Sequence, residues 1–299
     1  MPTTQAQVIA TYSRRMRLRL AQGAEVEARI KGKKLKPVCG DRVTVEPIEN
    51  EGDWLITGIC NRENALARPN MRGQVEVLAA NVDLLIVVAA TTPEPDWFIL
   101  DRYLAAAENM QVDAVVVFNK TDLATGDADT KQALADYAQT GYPVLRCSAE
   151  TGSGIEELQQ VIRERTAIIV GQSGVGKSSI INVLMGGEQQ RTKEISSKTG
   201  EGKHTTVNSM MLDIPGGGRI IDSPGVRDYA PALDSGPAVI MGFREIEKAG
   251  HECRFANCRH LREPGCAVKS GVENDAISPR RYESYRRLLF LTEKLDQRQ

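Results

Sequence analysis

The sequence predicts a multidomain protein: a small all-β barrel, an α/β unit with a mostly parallel sheet, and a mostly helical tail. Three observations predict it. Early residues alternate apolar and polar with a period of two. From about residue 73, solid apolar runs of strand length alternate with helix-type segments. After Pro231 the composition shifts to short helical pieces around a cluster of cysteines and a histidine. The units expected are 1–68, 69–232 and 233–299, and 299 residues leave room for a core in each.

In the first unit, Met16, Leu18 and Leu20, then Val26, Ala28 and Ile30, then Val43 and Val45 fall on one side of short strands. Gly23, Gly32, Gly40 and Gly52 punctuate them. A five-stranded OB-type barrel fits this best, although an SH3-like barrel would leave much the same trace. Lys31-Gly-Lys-Lys-Leu-Lys36 reads as a basic loop between two strands. In the second unit, strands are expected over 84–90, 114–118, 144–147 and 167–170, with helices over 96–109, 130–140 and 155–163. Such alternation means a mostly parallel sheet covered on both faces. A polar, Gly- and Lys-rich stretch over 186–203 is expected to be mobile, and two further strands follow over 207–212 and 219–221. Ser278 and Pro279 suit the N-cap and first turn of a terminal helix.

The strongest chemical signal is Gly171-Gln172-Ser173-Gly174-Val175-Gly176-Lys177-Ser178, which follows a strand and opens a helix through Ser179 and Ile180. Its glycines let backbone amides curve round phosphates, Lys177 reaches the terminal phosphates, and the Ser178 hydroxyl suits Mg²⁺. Asp222-Ser-Pro-Gly225 ends a later strand. There Asp222 would hold the magnesium water shell and the Gly225 amide would sense the γ-phosphate. Asn119-Lys120-Thr121-Asp122 ends the strand at 118, and Ser148-Ala149-Glu150 stands one strand later. Guanine presents two donors on its Watson–Crick edge, and a carboxylate such as Asp122 accepts both. Adenine offers an acceptor there and is rejected.

These motifs resemble those of Ras-like P-loop GTPases, but in rotated order: the base-reading loops precede the phosphate loop. Permutation of this kind is tolerated where the old termini lie close together and the new ones fall on the surface. The resemblance thus implies a circularly permuted P-loop α/β GTPase unit. The whole arrangement resembles one family, the ribosome small-subunit-dependent GTPase A (YjeQ/YloQ type), over nearly its full length. Gly202-Lys-His-Thr-Thr206 and Asp222-Ser-Pro-Gly-Val-Arg227 are both similar to it. Gln172 departs from it, since many members have proline there. The resemblance implies GTP and GDP as ligands, with the small ribosomal subunit and its rRNA as partner late in subunit maturation.

Cys253-x4-Cys258-x-His260-x5-Cys266 supplies three thiolates and one imidazole within 14 residues. That is the donor set of a closed structural zinc site, and the family's zinc motif is similar. His251 falls outside it and reads as a surface residue. Cys39, Cys60 and Cys147 read as small buried hydrophobes.

Ras-like enzymes orient the attacking water with a glutamine after the Asp-x-x-Gly element; Val226 stands there and cannot. His204 is the local alternative, and Thr206 (or its neighbour Thr205) is the expected switch ligand to Mg²⁺. The catalytic set is thus Lys177, His204 and Thr206.

Net charge is −1, but it is unevenly spread. Residues 1–72 carry 13 Lys+Arg against 8 Asp+Glu, 73–235 carry 13 against 22, and 236–299 carry 12 against 9. Basic ends flank an acidic middle, which fits a polyanionic partner. Arg14, Arg15, Arg17 and Arg19 with the Lys31–Lys36 loop are the expected docking residues, unless the arginines merely solubilise one barrel face. No apolar run approaches the ~20 residues of a membrane helix, and Met1 to Ala10 has no signal-peptide character. The expectation is a cytoplasmic monomer with no membrane role.

Overall fold

The computed structural model describes residues 4–12, 15–32, 34–49, 52–69, 75–123, 127–187, 207–223, 233 and 235–296. His204, Thr205, Thr206, Gly225 and Val226 lie outside the described residues, as do Arg14, Lys33 and most of the 186–203 stretch.

The barrel comprises β1 (Thr4–Tyr12), β2 (Met16–Leu20), β3 (Glu25–Ile30), β4 (Arg42–Pro47) and β5 (Trp54–Ile59). Their order is β1-β2-β3-β5-β4, closed by β4 returning to β1. β3 and β5 run parallel while the other pairs are antiparallel. Five strands in that order make the OB-type barrel. The alternating residues face inward as expected: Met16, Leu18, Leu20, Ala28, Val43 and Val45 share one core with Ala6, Val8 and Ile56.

β6 (Ala65–Pro69) and β7 (Val75–Ala80) form a separate antiparallel hairpin. Period-two alternation does not mark it, since Val77 to Ala80 are consecutive apolar residues and exposed Val75 lies on the same strand as buried Ala79 and Ala80.

The second sheet runs β10 (Val144–Arg146), β9 (Asp113–Asn119), β8 (Leu84–Ala90), β11 (Thr166–Gly171), β13 (Arg219–Asp222), β12 (Val207–Asp213). All neighbours are parallel except β12, which is antiparallel to β13. Central strands are buried on both faces. In β8, Leu85, Val87 and Ala89 join one core, while Leu84, Ile86, Val88 and Ala90 join the opposite one. The first face is covered by α1 (Trp97–Met110) and α2 (Ala128–Gln139), the second by α3 (Ile155–Ile162) and α4 (Lys177–Leu184).

The two sheets are continuous. β1 pairs with β4 through Thr4 to Gln7, then with β12 through Ala10 to Tyr12. This explains why β1 is buried without alternation: Ala6 and Val8 fill the barrel, whereas Ala10 and Tyr12 enter the α/β core. Arg19 spans the same seam, donating to both oxygens of Asp213 at 3.0 and 2.5 Å. Arg17 faces Glu27, and Arg29 faces Asp53. Arg17 and Arg19 of the strand are therefore engaged within the protein as well as being candidates for docking.

The C-terminal lobe contains α5 (Gly236–Met241), α6 (Arg244–Gly250), α7 (Ala267–Glu273) and α8 (Pro279–Asp296). Its apolar core takes in Phe98 and Ala105 of α1. The seam is heavily charged. Arg281, fully buried, donates to Asp101 at 2.8 Å and to both oxygens of Glu245 at 2.7 and 2.8 Å. Arg280 reaches Asp101 at 3.0 Å, and the Tyr137 hydroxyl donates to Asp101 at 2.9 Å. Removing one partner of such a buried set costs about 3–5 kcal/mol, because it strands the other charge. Ser278, expected only as a cap, also donates to Asp136 of α2 at 2.5 Å.

Candidate nucleotide site and metal centre

β8, β9, β10, β11 and β13 all end at one edge of the sheet, where α/β folds of this kind bind ligands. The phosphate-loop residues Gly171 to Ser178 leave β11 at that edge and enter α4. Two glycines are obligatory there. Gly171 has φ +136°, and a Cβ on it would sit 2.2 Å from the Val88 carbonyl oxygen. Gly176 has φ +94°, and a Cβ would sit 2.3 Å from the Asn119 amide nitrogen. The Lys177 ammonium donates to the carbonyls of Gly171 and Gln172 at 2.7 and 2.6 Å. Ser173 and Ser179 are exposed, and Ser178 is half-buried in the first turn of α4.

The residues expected to read the base meet this loop from β9 and β10. Asn119 is fully buried, and its amide donates to the Val175 carbonyl at 2.9 Å while its oxygen accepts from Ala149 N–H at 3.1 Å. Asn119 thus ties the phosphate loop to both base-side loops. Lys120, at φ +61°, donates to the carbonyls of Thr92 and Gly174 at 2.7 and 2.8 Å. Thr121 donates to the Cys147 carbonyl at 3.0 Å. Asp122 accepts the Ser148 hydroxyl at 2.5 Å, which orients the carboxylate and leaves its other lone pairs open. Asp222, half-buried, ends the strand beside the phosphate loop.

The sequence did not single out Thr92, which accepts from Lys120, or Asp96, whose N–H donates to the Gln172 side chain at 3.1 Å. Both belong to the segment after β8. No local pattern marks it, because its role comes from a partner far along the chain.

In the C-terminal lobe the donor atoms of Cys253, Cys258, His260 and Cys266 lie within 4.8 Å of one another. A tetrahedral zinc with Zn–S of about 2.3 Å and Zn–N of about 2.0 Å sets S–S near ~3.8 Å and S–N near ~3.5 Å. Cys253 and Cys266 sulfurs are 3.9 Å apart, and His260 Nδ1 is 3.5 and 3.6 Å from them. The residues fit the metal. Desolvation lowers the His260 pKa, keeping a neutral ring with a lone pair to offer. Burial pushes the Cys258 thiol up to about 12, and a bound cation would favour its thiolate. Around the ligands, Tyr282 and Tyr285 donate to the carbonyls of His260 and Arg259 at 2.6 and 2.9 Å. Desolvation raises the Glu263 pKa, but the N–H groups of Glu263, Arg259, Leu261 and Arg262 outweigh it and hold it at about 2. Cys39 and Cys147 are buried and Cys60 half-buried, away from this group.

A phosphate loop facing two base-side loops, on a sheet whose strands are entered in rotated order, defines a circularly permuted P-loop GTPase. The description "RsgA GTPase" matches residues 59–231, and the chain belongs to that family. The small ribosomal subunit biogenesis GTPase RsgA of Azotobacter vinelandii is 42% identical, over 84% of this chain and 74% of its own. That of Marinobacter nauticus is 41% identical, over 96% and 84%. Among solved structures, YjeQ from Thermotoga maritima has a TM-score of 0.75 at 29% identity, covering 97% of this chain and 99% of its own. YloQ, described as a circularly permuted GTPase, has a TM-score of 0.73 at 24% identity and supports the fold alone.

Proposed function

We propose that the protein hydrolyses GTP during late maturation of the small ribosomal subunit, that the subunit stimulates this hydrolysis, and that the protein binds ribosomal RNA. The observation that carries it is the convergence of Asn119 to Asp122, Ser148 and Ala149 on the phosphate loop, in a chain whose relatives are named for that task. Asp122 reads guanine. Lys177 leaves its two loop carbonyls to meet the terminal phosphates, and the loop amides of Ser173 to Ser179 bind the remaining phosphate oxygens. Ser178 and Thr206 would hold Mg²⁺, which neutralises charge developing on the phosphates, and Asp222 would order its waters. Gly225 would contact the γ-phosphate. His204 would orient the attacking water in place of Val226. Cys253, Cys258, His260 and Cys266 would hold one structural zinc per chain. The units are 1–68, 69–232 and 233–299, working as a cytoplasmic monomer. No helix among the described residues is long and apolar enough to cross a membrane.

The test is phosphate release from GTP and ATP, with and without purified small subunits. GTP turnover should rise severalfold or more with subunits, and ATP turnover should stay at background. His204→Ala should leave GTP affinity nearly intact while removing most of the stimulated rate. Equal stimulated rates in variant and parent would reject the histidine as water-positioner. No stimulation of the parent would reject the ribosomal reading.

For docking, Lys31, Lys34 and Lys36 are exposed, whereas Arg17 and Arg19 are paired with Glu27 and Asp213. Neutralising these three lysines should weaken subunit binding and reduce the slope of log affinity against log salt by roughly one per lost phosphate contact. Arg19→Ala should instead loosen the barrel seam, read as a lower melting temperature. A triple-lysine variant with the parent's affinity and salt slope would move the RNA contact elsewhere.

A further inference from the structure

A helix N-terminus leaves N–H groups without intrahelical partners. In α1 the N-cap is Asp96, whose carboxylate accepts from Phe98 N–H at 3.1 Å and Ile99 N–H at 3.2 Å. A full capping box also needs an acceptor at the third helical position for the N-cap's own N–H. That position holds Ile99, which has none. The missing acceptor comes from 76 residues away: Gln172 Oε1 takes the Asp96 N–H at 3.1 Å.

We propose that Gln172 is a positioning residue, which completes the cap of α1 from inside the phosphate loop and so fixes that loop against the helix carrying the C-terminal lobe. The proposal rests on the reading of this loop as the GTP site. The loop is pegged at three points. Val175 is held by Asn119 and Gly174 by Lys120, both from the base side. Gln172 is held by α1. The first turn of the loop is otherwise secured by the Lys177 ammonium on the Gly171 and Gln172 carbonyls. When that ammonium turns to a phosphate it gives up those bonds, and the bond from Asp96 N–H to Gln172 remains to keep the turn in place.

The other end of the connection is equally concrete. From α1, Phe98 and Ala105 enter the core of the C-terminal lobe. Asp101 binds Arg281, Glu108 binds Arg244 at 2.8 Å, and Asn109 donates to the Ala238 carbonyl at 2.8 Å. A phosphate loop held to α1 is therefore held to the metal-binding lobe. Linkage is reciprocal: nucleotide that orders the loop should order the start of α1, and the converse.

Two substitutions separate the bond from the bulk of the side chain. Gln172→Met keeps length and loses the acceptor; Gln172→Glu keeps an acceptor. Amide exchange over residues 96–100 would be followed in the full-length, metal-replete protein, first without nucleotide and then with GDP, alongside GDP affinity. Without nucleotide, Gln172→Met should speed exchange at Asp96 by roughly fivefold, the worth of one ordinary hydrogen bond, while Gln172→Glu stays near the parent. GDP should slow exchange at 96–100 in the parent and no longer do so in Gln172→Met, whose GDP affinity should fall by roughly the same factor. Equal Asp96 exchange in Gln172→Met and parent would overturn the proposal, as would an undiminished GDP effect on α1 in that variant. If the parent itself binds no guanine nucleotide, the GTPase reading fails, and the nucleotide-free exchange still decides the Gln172 bond.

Discussion

Replacing Asp122 with asparagine is expected to weaken GTP binding by about two to three orders of magnitude, since two charge-assisted hydrogen bonds to the base are lost. The same change should turn the preference to xanthosine triphosphate, whose added carbonyl pairs with an amide donor. The structure makes the exchange clean. Ser148 donates to Asp122 Oδ1 at 2.5 Å and can donate equally to an asparagine oxygen, so the side chain keeps its direction. Asn119 and Lys120, which hold the loops together, are untouched. The check is a competition titration of GTP against xanthosine triphosphate on both proteins. Unchanged GTP affinity in Asp122→Asn would remove this residue from the base site and revive an adenine or base-indifferent reading.

Loss of the metal centre should be the largest structural effect. Binding free energies of structural zinc sites run to about 10–16 kcal/mol, and that energy is local folding energy. Cys258→Ser or Cys266→Ser should hold far less than one zinc per chain, and chelation should do the same to the parent. The consequence should stay in the lobe. Tyr282 and Tyr285 of α8 grip carbonyls beside the ligands, so α8 should loosen and become open to protease. The sheet from β8 to β13 has its own cores on both faces and should survive. Elemental analysis of metal-replete protein, followed by limited proteolysis, tests this. Absence of zinc from the parent, or full zinc in the cysteine variants, would sink it.

Much of this was legible beforehand because the signals are local. Period two marked the barrel strands from Met16 to Val45, since alternate side chains point to opposite faces. Apolar runs bounded by turns marked β8, β9 and β11, which are buried on both faces. The phosphate loop, the Asn119 to Asp122 element and the Cys/His cluster were visible as spacing, because each binds through residues close together in the chain. β1 and the β6–β7 hairpin were not visible. β1 loses its alternation by serving two cores at once, and in β7 the apolar residues Val77 to Ala80 are consecutive rather than alternating, with Ala79 joining Leu66 in the α/β core.

The roles of single charged residues were the least legible. Arg17 and Arg19 read as a basic strip, and their partners Glu27 and Asp213 could be known only once β2 lay beside β3 and β12 beside β1. Arg281 lies in a terminal helix rich in charged residues, yet it is buried against Asp101 and Glu245. The sequence by itself determined the class of chemistry, the rotated order of the motifs and the Cys/His cluster, because those depend on residue type and short spacing. Only the tertiary structure decided that β1 joins barrel to sheet, that the C-terminal lobe is seated on α1, and that Gln172 caps that helix. Each of those is a contact between distant segments, and a side chain's partner is set by where the fold brings the chain back, not by its neighbours in sequence.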